Sequence, residues 1–95
     1  MSMKQAYEQK LQAQLDELSA EIDKLKAKAD AAKADAQIEH YKKIKELHAL
    51  QETAAHKLSE LKQAGDGAWE DLKVGIDTAR DSLGNALKSA ASRFK

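Results

Sequence analysis

Apolar residues in the first third of the chain recur at alternating steps of three and four. The row consists of Leu15, Leu18, Ile22, Leu25, Ala29, Ala32 and Ala36. This spacing is the heptad pattern of a coiled-coil helix, whose apolar seam packs against another helix. The pattern ends at Ala36, because the next two heptad positions are the charged residues Glu39 and Lys43.

A second period of eleven residues follows the heptads. Its three rows are Leu25, Ala36, Leu47, Leu58 and Trp69; Leu50, Leu61, Leu72, Leu83 and Phe94; and Ala54, Gly65, Ile76 and Leu87. Eleven residues make about three helical turns, so such rows stay on one face of a helix. The eleven-residue stripe covers residues 44–94, with Ile44 at its start. The predicted packing residues are Leu15, Leu18, Ile22, Leu25, Ile44, Leu47, Leu50, Leu58, Leu61, Trp69, Leu72, Ile76, Leu83, Leu87 and Phe94.

Helix-breaking residues are rare in this sequence. There is no proline, and the first glycine is Gly65. We therefore predict an all-α fold that begins with one long coiled-coil helix over residues 1–64, about 90 Å in length at 1.5 Å per residue. The apolar positions of residues 27–37 are all alanine, so we expect this part of the helix to pack weakly and open locally.

The segment Gly65, Asp66 and Gly67 is the predicted hinge between the long helix and an amphipathic helix over residues 68–95. Gly65 suits a left-handed helix end, and Asp66 or Gly67 suits the start of the next helix. A helical hairpin is favoured over one continuous kinked helix. The eleven-residue phase nevertheless runs through the hinge without a slip, as a continuous helix would require.

Composition argues against several classes of function. The 16 basic residues balance the 16 acidic ones, and there is no cysteine. A neutral chain lacks the basic excess of nucleic-acid-binding proteins, so no nucleic-acid partner is expected. Thiol chemistry and disulfides are excluded. No phosphate-binding glycine motif or catalytic triad order is present, so we predict no enzymatic activity and no cofactor.

Three histidines supply the one candidate metal site. His48, Glu52 and His56 follow each other at four-residue steps and share one helical face. The two histidines are about 12 Å apart along a helix, which is too far for one ion without a second helix. Interface packing is therefore the favoured interpretation of the histidines.

The C-terminal run from Gly65 to Lys95, GDGAWEDLKVGIDTARDSLGNALKSAASRFK, resembles the tail of small bacterial coiled-coil stress-response proteins. In that group an AWEDLK-like start precedes an amphipathic helix and an AASRF-like end. The resemblance implies a stress-associated structural or interaction role, and it supplies no catalytic residues.

No stretch approaches the roughly 18 apolar residues of a membrane span, so we expect a cytoplasmic protein. We also expect it to self-associate, because the apolar rows of a long rod exceed what its own tail can cover. The alternative is a conditional amphipathic helix that binds lipid surfaces or protects client proteins, as eleven-residue repeats do elsewhere.

Overall fold

The computed structural model describes residues 2–94 as three α-helices. These are α1 (Met3–Asp30), α2 (Ala34–Gln63) and α3 (Trp69–Arg93). Contacts between Ser19 and Gln51 and between Lys4 and the Lys62 carbonyl show that α1 and α2 are antiparallel. Since α3 is also antiparallel to α2, α1 and α3 run in the same direction. The three helices form a bundle of 51 × 19 × 18 Å.

The all-α fold and the helical hairpin are confirmed. The predicted C-terminal helix is α3, which starts at Trp69, one residue after the predicted start. The single helix over residues 1–64 is wrong, because the chain reverses at residues 31–33. The 90 Å rod is therefore also wrong. The heptad pattern ends at Ala36, which lies in the first turn of α2.

The unpredicted turn forms without glycine or proline. Ala31 keeps an α-helical conformation, while Lys33 is extended, with φ −65° and ψ 152°. The Gln37 side chain donates to the Asp30 carbonyl at 3.2 Å, and the Tyr41 hydroxyl donates to the Asp30 carboxylate at 2.5 Å. Folding back packs the leucines of α1 against those of α2, and this burial outweighs the helix propensity of the alanines.

The turn between α2 and α3 contains the predicted hinge residues, but its conformation differs from the prediction. Ala64, with φ −76° and ψ 146°, ends α2, and Ala68 precedes α3 without a side-chain cap. Gly65 and Gly67 both have negative φ, so the predicted left-handed cap at Gly65 is wrong. An extended residue already separates the helices, and no left-handed residue is needed.

Every residue predicted to pack is buried or half-buried. The core runs the length of the bundle and contains Leu11, Leu15, Ile22, Leu25, Ala29, Ile44, Leu47, Ala54, Leu58, Leu61, Trp69, Ile76, Leu83, Leu87, Ala90 and Phe94. One chain thus covers the large apolar residues of both patterns by itself, and Ala36 is exposed. Across the described residues 2–94 the bundle leaves no long uncovered rows that would need a partner, so any self-association needs another surface.

Candidate helix-binding groove

Aromatic and polar contacts join α1 to α3 near their N-terminal ends. The Tyr7 hydroxyl donates to the Asp77 carboxylate at 2.5 Å, and the Tyr7 and Trp69 ring centroids are 5.7 Å apart. The Lys73 ammonium lies 5.3 Å from the Tyr7 ring centroid. We call Tyr7, Trp69, Lys73 and Asp77 the Tyr7 cluster. Burial, the hydrogen bond to Asp77 and its negative charge together raise the pKa of Tyr7.

The region in which α1 and α3 are paired extends as far as Arg80. Its guanidinium donates to the Gln14 side chain at 2.9 Å and lies 3.8 Å from Asp77 and 3.0 Å from Asp81. The bond to Gln14 spans the two helices one to two turns beyond the Tyr7 cluster, whereas both carboxylates belong to α3. Arg80 therefore stands where the paired ends of α1 and α3 give way to an open region.

Beyond Arg80 the two helices enclose an open groove of about 660 Å³. It is lined by the half-buried Leu18 and the buried Leu87, while Gly84 and Ala91 are small residues on the α3 side. We call it the α1–α3 groove. It is lined by Gln14, Glu17, Leu18, Glu21, Arg80, Asp81, Gly84, Asn85, Leu87, Lys88 and Ala91.

The two rims of the α1–α3 groove differ in charge. Glu17 and Glu21 stand on the α1 rim, and Lys88 stands on the α3 rim with the Arg80–Asp81 pair. Because α1 and α3 run in parallel, these charges lie at similar heights along the bundle. One groove therefore presents an acidic rim beside a rim that carries the basic group Lys88.

The candidate metal residues are not brought together. The Nδ1 atom of His48 is 3.1 Å from the Gln51 side-chain oxygen, and the Nε2 atom of His56 is 3.0 Å from Glu60. Within residues 2–94, no group of three acidic, histidine or cysteine side chains is arranged to hold a metal ion. His40 instead stacks on Phe94, with ring centroids 4.0 Å apart.

Sequence reasoning predicted Leu18 and Leu87 as packing residues but missed the groove between them. Two other key residues, Arg80 and Gly84, belong to none of the apolar rows, so the periodicity carries no signal for them. The groove arises from the parallel placement of α1 and α3. That placement depends on the turn at residues 31–33, for which the sequence carries no breaker.

Comparisons with protein-family models, with curated proteins and with solved structures give no match. The resemblance of the C-terminal run to bacterial stress-response proteins thus remains a prediction. None of the helices in the described part of the chain is long and apolar enough to cross a membrane.

Proposed function

We propose that this chain is a non-enzymatic helical protein that acts by self-association through the α1–α3 groove. The observation that carries the proposal is the groove itself, where the half-buried Leu18 stays partly accessible between rims of different charge. Helices pack closely where small residues lie opposite larger ones. Gly84 and Ala91 leave room for such an approach.

A second copy fits the charges of the groove when the two bundles are related by a two-fold axis parallel to their helices. That axis sets the α1 rim of each copy against the α3 rim of the other. Glu17 and Glu21 then face Lys88 on both sides of the interface. Interfaces of modest area are weak, so we expect concentration-dependent and reversible association.

Sedimentation equilibrium of a groove-filling variant tests this proposal. Gly84→Leu places a side chain in the α1–α3 groove, where an added Cβ meets no atom within 4 Å. We expect it to abolish self-association while the chain stays helical. Gly75→Leu is the matched control, because Gly75 lies in a groove between α2 and α3 and should leave association intact.

Charge variants give a second test of the same arrangement. Glu21→Lys and Lys88→Glu should each weaken association by placing like charges across the interface. The double variant restores opposite charges on facing rims and should recover it. Association that is insensitive to Gly84→Leu and to both single charge variants would contradict the proposal.

Two finer expectations belong to the proposal. A stress-associated role rests on the sequence resemblance alone, and a cytoplasmic location is part of the same expectation. Deletion of the gene followed by growth under heat, osmotic and oxidative stress tests the role, and cell fractionation tests the location. Growth equal to that of the parent under every stress would contradict the role.

The alternative, a conditional amphipathic helix, is favoured by one feature of α3. This helix starts without a side-chain cap and contains Gly75 and Gly84, each of which weakens a helix by about 1 kcal/mol relative to alanine. Its apolar face packs on the bundle through Trp69, Ile76 and Leu83. Lipid or client binding therefore requires release of α3, which circular dichroism with anionic vesicles and an aggregation assay can test.

A further inference from the structure

The turn between α2 and α3 is held by little more than its own local hydrogen bond. The Ala68 N–H donates to the Gly65 carbonyl at 3.0 Å. Neither Gly65 nor Gly67 has a positive φ, and a Cβ added to either meets no atom within 4 Å. At Ala64, rotation of ψ from 146° to the helical value removes the extended residue that ends α2.

The apolar phase of α2 continues into α3 as if the turn were helical. Leu47, Leu58 and Trp69 are spaced by eleven residues across it, and so are Leu61, Leu72 and Leu83. A hairpin does not require this spacing, because a flexible turn can reset the phase. In a continuous helix the same residues form one apolar stripe.

We propose that α2 and α3 also join into one continuous helix through residues 64–68, and that two such chains exchange their α3 helices. The occupant of the surface that α3 vacates is then the α3 helix of a second copy. The exchanged helix makes the contacts that it makes in the closed chain, including Trp69 beside Tyr7 and His40 against Phe94. Exchange of this kind is an accessible route to dimers.

The antiparallel pairing of α2 with α3 fixes the form of this dimer. The two continuous helices cross at their Gly65–Gly67 segments, where a two-fold axis relates the copies. Each half of the dimer reproduces one closed bundle, with α1 remaining on its own α2. The dimer is therefore a rod of roughly twice the 51 Å length of the closed chain.

Gly65 and Gly67 favour the closed chain over the exchanged dimer. Gly65 and Gly67 cost little in a turn but are unfavourable inside a continuous helix. The double variant Gly65→Ala/Gly67→Ala should favour the joined helix by about 30-fold per chain. Because this factor applies to each of the two chains in a dimer, we expect the dimerisation constant to rise by about a thousandfold.

Proline at position 66 acts in the opposite direction. Asp66 is the second residue of the turn closed by Gly65 and Ala68, where proline is favoured. Proline inside the continuous helix should disfavour the exchanged dimer by more than about 100-fold per chain. Asp66→Ala is the matched control, because alanine is compatible with both conformations.

The experiment compares the parent chain with these three variants. Each is concentrated, warmed into its unfolding transition, cooled and then separated by size-exclusion chromatography with light scattering. We expect elongated dimers to be most abundant in the glycine double variant and absent from Asp66→Pro. X-ray scattering of the isolated dimer should give a maximum dimension near twice that of the monomer.

Helix exchange and groove association are different routes to a dimer, and the turn variants and the groove variant distinguish them. If Gly84→Leu abolishes all dimers while Asp66→Pro changes none, exchange is wrong and groove association stands. If Asp66→Pro alone removes the elongated dimer, exchange is supported whether or not the groove associates. A glycine double variant that stays monomeric, or that binds anionic vesicles as a monomer instead, would overturn the exchange.

Discussion

Two tyrosines in this chain make the same hydrogen bond in different surroundings. Tyr7 is half-buried between α1 and α3 and donates to Asp77, whereas Tyr41 is 40% exposed and donates to Asp30 beside the first turn. A hydrogen bond that is shielded from water contributes more to stability than an exposed one. The Tyr7 hydrogen bond should therefore stabilise the packing of α1 on α3, and the Tyr41 hydrogen bond should contribute little to stability.

We predict that Tyr7→Phe lowers the free energy of unfolding by about 1 kcal/mol, because Asp77 loses its donor. Chemical denaturation followed by circular dichroism measures the change. Tyr41→Phe is the matched control and should have a smaller effect. Equal losses in the two variants would show that the Tyr7–Asp77 bond has no special part in joining the helices.

Tyr7 should also make the free energy of unfolding depend on pH. The unfolded chain releases the Tyr7 proton near its ordinary pKa of 10.0, whereas the raised pKa keeps it bound in the folded chain. Folded chains then hold more protons, so the free energy of unfolding falls as the pH rises above about 10. The alkaline loss should be smaller in Tyr7→Phe, and identical pH profiles for parent and variant would contradict this.

Among the elements, α3 is the helix whose sequence agrees least with its conformation. Helix α1 begins with a capping box in which Ser2 and Gln5 bond each other's backbone N–H groups. Helix α3 has no such cap and carries Gly75 and Gly84 in its interior. Packing on α2 must therefore stabilise α3 more than its own propensity does.

Alanine in place of either interior glycine should stabilise the protein. An added Cβ at Gly84 meets no atom within 4 Å, and at Gly75 it meets only the Lys57 ammonium, at 3.9 Å. We predict that Gly84→Ala and Gly75→Ala each add up to about 1 kcal/mol, or roughly 4–8 °C in Tm. Thermal unfolding measures this. A drop in Tm for Gly84→Ala would mean that the groove closes further than the structure shows.

The elements also show how far sequence reasoning reaches. Periodicity identified the buried residues, because any helix that packs must bury its apolar rows, and Gly65 with Gly67 located one turn. The other turn could not be predicted from local preference, since Ala31, Ala32 and Lys33 are good helix formers. Its formation depends on contacts between residues far apart in the sequence, and the groove depends on it in turn.

At the scale of the whole molecule, α2 is the central element. Its apolar residues pack against both α1 and α3, whereas α1 and α3 meet mainly through the Tyr7 cluster and Arg80. The largest fully buried side chains come from all three helices and are Leu11, Ile22, Leu47, Leu61 and Leu83. Such a shared core implies that the bundle unfolds as one cooperative unit.

Leu47→Ala tests this shared core. Leu47 is 2% exposed on α2, and the cavity left by its truncation should cost about 2–5 kcal/mol. That loss is a large part of the stability of a small domain. Val74→Ala, at a position that is 73% exposed on α3, should change stability by less than about 0.5 kcal/mol. Calorimetry would contradict a shared core if Leu47→Ala split the transition into two steps.

The contact between Tyr7 and Trp69 gives this protein an intrinsic fluorescence probe. Trp69 is the chain's one tryptophan, and its ring lies 5.7 Å from the Tyr7 ring, on the helix opposite. At this separation, light absorbed by Tyr7 passes to Trp69 by resonance transfer, and tyrosine emission at that position is quenched. Detachment of α3 moves the acceptor away and exposes the indole to water. Unlabelled protein should therefore report each departure of α3 from α1 through a red shift of its own emission.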